Sequence, residues 1–192
     1  MLCIMKKQMY LRITLLFFMN LMFFNCEKIK DLTDVDFDAS LKADVSALSS
    51  AAVSPELKNI EATYQFSGSA IIDPTSNSDI KKYWKKIRKW EVKKITVRIK
   101  NISEPTQLVH GKLTISDSST ETILLEKDAT NMPLSNGTVV LTLTGSDWSK
   151  IIKALDSKHS LLVKVSGALD KPSVNVTFQV ILDLKVTANP LE

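Results

Sequence analysis

Near the end of the chain, Val174, Val176, Phe178, Val180, Leu182, Leu184 and Val186 occupy every second position. Asn175, Thr177, Gln179, Asp183, Lys185 and Thr187 stand among their alternates. A period of two puts one set on each face of a β-strand, so one face is buried and the other wet. Val35, Phe37, Ala39, Leu41, Ala43, Val45 and Ala47 repeat the pattern, against Asp34, Asp36, Asp38, Ser40, Lys42, Asp44 and Ser46. So do Ile60, Ala62, Tyr64, Phe66, Gly68, Ala70 and Ile72. Shorter strands fit residues 95–99, 108–115, 122–126, 138–143 and 160–165. A strand of a parallel sheet is covered on both faces and reads as a continuous apolar run, so clean alternation means antiparallel sheets. About eight such strands must bury their apolar faces against one another. The expectation is a mainly β chain, an antiparallel β-sandwich with two short amphipathic helices inserted between strands. Asp117-Ser118-Ser119-Thr120, Asn136-Gly137 and Leu169-Asp170-Lys171-Pro172 supply turns between strands.

Two segments break the period. Residues 79–89 place Ile80, Tyr83, Trp84 and Ile87 at helical spacing, and residues 147–156 do the same with Trp148, Ile151, Ile152 and Leu155. Ser78 and Ser146 are candidate caps, and Asp79 and Asp147 follow where the helix dipole favours an acid. The two Ser-Asp pairs lie 68 residues apart, which suggests a strand-helix-strand unit used twice. The plainer reading is a helix closing each open end of a sandwich.

The N-terminus reads as an address. Lys6, Lys7 and Arg12 precede an apolar run, ITLLFFMNLMFF, that is too short for a bilayer span of roughly 20 residues. The run ends in Phe23-Phe24-Asn25-Cys26. This resembles a bacterial lipoprotein signal of the loose Bacteroidetes type, Phe-Phe-x-Cys followed by charged residues. The resemblance implies a signal peptide over 1–25 and a lipid-anchored tether over 26–32. A β-sandwich-like domain then fills 33–192, on the outer membrane of the cell envelope. It also implies that the Cys26 thiol carries the lipid as a thioether. Cys3 is lost with the leader, so the mature body has no other thiol, which suits an oxidising envelope.

The densest charge is basic. Lys81, Lys82, Lys85, Lys86, Arg88, Lys89, Lys93 and Lys94, with Arg98 and Lys100, give residues 77–100 a net +8. The whole chain carries +4; without Lys6, Lys7 and Arg12 it carries +1, so everything outside 77–100 sums to −7. Such an asymmetry suits an anionic membrane surface or an acidic partner, and equally a solvated helix face. Trp90, at the end of the basic helix, is the tryptophan expected to be exposed beside it. Trp84 and Trp148 are expected in the core. Asp34-x-Asp36-x-Asp38 begins like a calcium loop but has Ala39 and Val45 where Gly and Glu are required, so it reads as a polar strand face.

His110 and His159 have no neighbouring triad-like residues in sequence, and the chain lacks G-x-S-x-G, H-E-x-x-H and phosphate-cradling glycine motifs. The expected function is a non-catalytic binding or scaffold module for an envelope protein or glycan. It would be held to the membrane by lipid, with anionic lipid a further candidate partner, and with no metal, cofactor or nucleic acid. A carrier of an amphiphile between the sheets and a hydrolase with a dispersed site are the alternatives.

Overall fold

The computed structural model describes residues 34–51, 63–145 and 147–191. The leader, Cys26, the tether, Ile60, Ala62 and Ser146 lie outside the described residues. The strands are β1 (Val35–Leu48), β2 (Ser50–Ala51), β3 (Tyr64–Ile72), β4 (Ile87–Ile102), β5 (Thr106–Asp117), β6 (Ile123–Leu134), β7 (Val139–Thr144), β8 (Leu161–Leu169) and β9 (Asn175–Ala188). The helices are α1 (Ser78–Tyr83) and α2 (Ser149–Asp156). The chain is an antiparallel β-sandwich of a four-stranded sheet, β1-β9-β4-β7, on a five-stranded sheet, β2-β3-β8-β5-β6.

β1 and β9 pair without a register break from Val35↔Ala188 to Leu48↔Asn175. Their inward residues Leu41, Val45, Val180, Leu182 and Val186 are buried. Phe178 stacks on Phe66 of the opposite sheet at 5.4 Å between ring centroids. Each such side chain contributes about 1.5–3 kcal/mol by leaving water, and an aromatic pair adds about 0.5–1.5 kcal/mol.

β4 departs from the sequence expectation. It is a 16-residue strand, where the alternation suggested only residues 95–99. Its register against β9 slips between Ile87 and Lys89, between Val92 and Lys94, and between Ile99 and Asn101. Each slip inserts one residue and moves the buried set to the other parity. Trp90 and Val92 face inward, then Ile95, Val97 and Ile99, then Ile102. Summed over the strand, the period-two signal cancels.

The first helix is accordingly shorter than expected. It starts where Asn77, not Ser78, accepts from the Asp79 and Ile80 amides, and it ends at Tyr83. One 3-10 turn, Trp84–Lys86, follows before the chain becomes extended. Ile80 and Tyr83 hold the helix down, Ile80 fully buried and Tyr83 against Phe37 at 5.6 Å. α2 buries Ile151, Ala154 and Leu155, preceded by a buried Trp148.

Both helices lie at one end of the sandwich rather than one at each. Ile72, ending β3, faces Leu161, beginning β8. Ile87, beginning β4, faces Ala188, ending β9. α1 carries the chain from the five-stranded to the four-stranded sheet, and α2 carries it back. The two strand-helix-strand units thus run in opposite senses, unlike tandem copies.

Trp90 is buried, 2% exposed, and not the surface residue expected of a helix end. It lies inside β4 with its ring edge-on to half-buried Trp84 at 6.2 Å. Lys158, just past α2, holds its ammonium 4.9 Å from the Trp84 ring and 5.7 Å from the Trp90 ring. Although Lys158 as a residue is exposed, the apolar surface under its ammonium pushes it below the usual lysine range.

Candidate functional site

The basic segment does not form one surface. Lys81 and Lys82 sit on α1, Lys85 and Lys86 on the 3-10 turn, and Arg88, Lys89, Lys93 and Lys94 on β4. Arg88, Lys93 and Lys100 are the residues inserted at the three slips against β9. Each reaches across β9 to an acid in β1 or immediately before it. Arg88 meets Asp34 at 3.6 Å, Lys93 meets Asp38 at 2.7 Å, and Lys100 meets Asp44. Lys185 bonds Asp36 at 2.8 Å, and Lys94 approaches Asp183 at 3.5 Å. Arg98 donates to Gln179, which donates on to Asp44. The donors hold Asp36 and Asp44 below the usual carboxylate range, led by Lys185 and Lys100 respectively. The alternating aspartates of the first strand are therefore the acceptors of a cross-strand charge ladder. Exposed pairs of this kind are worth about 0–1 kcal/mol each and act more on register than on stability.

Five basic residues of the segment remain outside the ladder. Lys86 is tied to the Pro190 carbonyl. Lys82 covers the Tyr83 ring at 4.9 Å. Lys81, Lys85 and Lys89 are exposed; Lys81 and Lys85 have no side-chain partner among the described residues, and Lys89 lies within electrostatic reach of Asp36. They belong to the helical end, where Asp34 also brings the chain into the domain.

A polar groove of ≈590 Å³ opens on the outer face of the five-stranded sheet. Gln65, Ser67, His110, Lys112, Lys164 and Ser166 supply its polar wall. Gly167 lets the β5 backbone approach closely there: a Cβ would stand 2.2 Å from the His110 carbonyl oxygen and 2.8 Å from the Gly111 Cα. Leu48 and Ser50, at the exit of β1, line the same groove, so it opens toward the end opposite the helices.

Sequence spacing missed one cluster. The β5–β6 turn brings Asp117 and Ser119 to His159, 42 residues away. His159 Nδ1 donates to Asp117 Oδ2 at 2.7 Å, and Ser119 Oγ donates to Asp117 Oδ1 at 2.6 Å. Asp117 Oδ1 also accepts from the Ser119 amide at 2.8 Å. The Ser119 hydroxyl, then His159, hold the Asp117 carboxyl far below the usual carboxylate range. A nucleophilic triad needs the serine on the imidazole nitrogen opposite the acid. Here both oxygens meet Nδ1, and the serine proton is given to the aspartate. The signal for this cluster was the Asp-Ser-Ser-Thr turn itself, an aspartate folding back on its own amides.

Between the sheets, Phe66, Leu108, Val165 and Phe178 line a cavity of ≈20 Å³, room for about one water molecule. Small-molecule sites occupy about 300–1,000 Å³. Among the described residues no His, Cys, Asp or Glu cluster could hold a metal ion, and no helix is long and apolar enough to cross a membrane.

No protein-family model matches the chain, and no curated protein matches it. Among solved structures, a decameric BFDV capsid protein aligns over 79% of this chain and 99% of its own, at 9% identity and a TM-score of 0.43. The desmodium yellow mottle tymovirus structure aligns over 82% and 91%, at 11% identity and 0.34. The Clostridium thermocellum xylanase 10B CBM22-1–GH10 modules align over 78% and 26%, at 11% identity and 0.22. At these TM-scores none bears on what the chain does.

Proposed function

We propose that this chain is a lipid-anchored, non-catalytic binding module of the bacterial cell envelope, on the outer membrane. Cys26 carries the lipid, and the helical end of the sandwich faces the bilayer. One observation carries the reading: entry point, free lysines and polar groove are arranged by end. Asp34 enters at the helical end, eight residues after Cys26, a reach of at most about 29 Å. Lys81 and Lys85 stand exposed at that end without an acidic partner among the described residues, and exposed Lys89 stands there within reach of Asp36. Each adds about 1 kcal/mol of attraction to an anionic surface nearby. The polar groove opens toward the other end, where an envelope glycan or protein segment is in reach. Its hydroxyl, amide and basic groups suit a polar ligand. Among the described residues, the small cavity of ≈20 Å³ between the sheets favours binding over carriage of an amphiphile, and the serine proton given to Asp117 favours it over acyl transfer.

Amine footprinting of the native envelope tests the arrangement. A membrane-impermeant acylating reagent should modify Lys81, Lys85 and Lys89 several-fold more slowly in membranes than in detergent. Lys127, on the exposed face of β6, should react alike in both. Equal labelling of all four in both settings would overturn the orientation. Filling the groove with Ser166→Trp should abolish recovery of envelope glycan or protein with the purified chain; undiminished recovery would remove the groove from the account.

A further inference from the structure

We infer that the groove between α2 and the β5–β6 turn is a binding site for a phosphate group. The groove measures ≈400 Å³ and is lined by Asp117, Thr120, Thr122, Lys150, Lys153 and His159, over an apolar floor of Leu124 and Ala154. It is separate from the basic segment and from the groove on the five-stranded sheet.

Four positive or proton-bearing groups converge on it. Lys150 and Lys153 are three residues apart on α2, so they share one helix face. Both are exposed; Lys153 has no side-chain partner among the described residues, and Lys150 lies within electrostatic reach of Asp147 without a hydrogen bond to it. His159 closes the other side. Its Nδ1–H is committed to Asp117, so Nε2 is the nitrogen facing a ligand: it donates to an anion as the imidazolium and accepts from a protonated phosphate oxygen when neutral. Thr122 Oγ1 accepts from Thr120, so its own proton is free to donate.

The single acid in the groove does not oppose an anion as a bare carboxylate would. Asp117 Oδ1 accepts from the Ser119 amide and hydroxyl, and Oδ2 accepts from His159. Its charge is spent on the turn and on fixing the imidazole, the role an outer carboxylate plays for a ligand-binding histidine. Two ammonium groups, a hydroxyl and the imidazolium form of His159 match a group with three acceptor oxygens and a charge of about −1.5 to −2. A carboxylate has two oxygens and one charge. The apolar floor and the remaining volume would take the organic part of a phosphate ester.

Phosphate here has two possible sources, a soluble phosphate ester or the headgroup of a lipid. The site rests on the folded domain alone. Its turning toward a bilayer rests on the orientation proposed above, since α2 lies at the helical end.

The two histidines separate the two grooves, because His110 lines the one on the outer face of the five-stranded sheet and His159 lines this one. Imidazole NMR resonances of the full chain in uncharged detergent are followed while inorganic phosphate, acetate or short-chain phosphatidylglycerol is added at constant ionic strength. Phosphate should shift His159 saturably in the millimolar range and leave His110 in place, and acetate should act at least about tenfold more weakly. Lys150→Gln with Lys153→Gln, whose fold is checked by unchanged His110 resonances, should weaken the His159 response at least about tenfold. A phosphatidylglycerol response equal to or above that of phosphate supports the site with a lipid source. A response to phosphate alone supports it with a soluble source, while the footprinting result stands or falls separately. The inference is overturned if both histidines shift together, if neither shifts, if acetate equals phosphate, or if the double variant responds as the parent does.

Discussion

Trp90 offers the sharpest stability test. On a solvent-facing helix its loss would change stability by no more than about 0.5 kcal/mol. In β4 it is 2% exposed and packed edge-on to Trp84. Truncating a buried aromatic to alanine costs about 3–5 kcal/mol. Part of that is offset, because the Trp90 Nε1 is buried without a partner, and an unmet donor already costs the native state about 1–3 kcal/mol. Trp90→Ala should therefore lower stability by about 2–4 kcal/mol. For a domain of this size that is a fall in Tm of about 5–15 °C. Trp90→Phe removes the unmet N–H and keeps most of the ring, so it should cost less than half as much. Urea and thermal unfolding followed by far-UV circular dichroism give both numbers. A Trp90→Ala protein within about 0.5 kcal/mol of the parent would refute the burial of this residue and the strand assignment with it.

Further outcomes follow from other contacts. Gly167→Ala must push a Cβ against backbone atoms of β5 at 2.2 and 2.8 Å, whereas Gly111→Ala meets only the Leu108 side chain at 3.2 Å. The first should cost about 1–3 kcal/mol and the second clearly less, read from urea midpoints; equal costs would contradict the close approach of β5 and β8. Asp117 is held below its unfolded pKa of about 3.9, so its contribution to stability is complete above that value and is lost as pH falls below it. Asp117→Asn should lower stability at neutral pH and flatten the loss on acidification; an unchanged acid limb would contradict the cluster. Lys93→Ala should cost less than about 1 kcal/mol, because the pair with Asp38 is exposed. A larger loss in the same unfolding assay would make the ladder a main source of stability rather than of register.

The parts of the fold legible in sequence are those where one residue faces one partner without interruption. β1 and β9 keep parity over 14 residues each, so their alternation survives. β4 hid because Arg88, Lys93 and Lys100 each reset its parity. With that strand masked, Ile80, Tyr83, Trp84 and Ile87 read as one helix, although only Ile80 and Tyr83 lie in α1. The misplacement of Trp90 came from the same cause. The basic segment was visible as composition, but its pairing with Asp34, Asp38 and Asp44 depends on β9 lying between β4 and β1, a fact of sheet order rather than of spacing. The Asp117–His159 contact was hidden for a similar reason: β6, β7 and α2 separate the two residues along the chain, and the pairing of β5 with β8, Asp117 opposite Leu161, brings them together.

The intact mass and N-terminal peptide of the protein taken from its native envelope bear most directly on the account. A chain beginning at Cys26, with a diacylglyceryl thioether on that residue, is the predicted result. A retained leader, or a Cys26 thiol free of lipid, would contradict it.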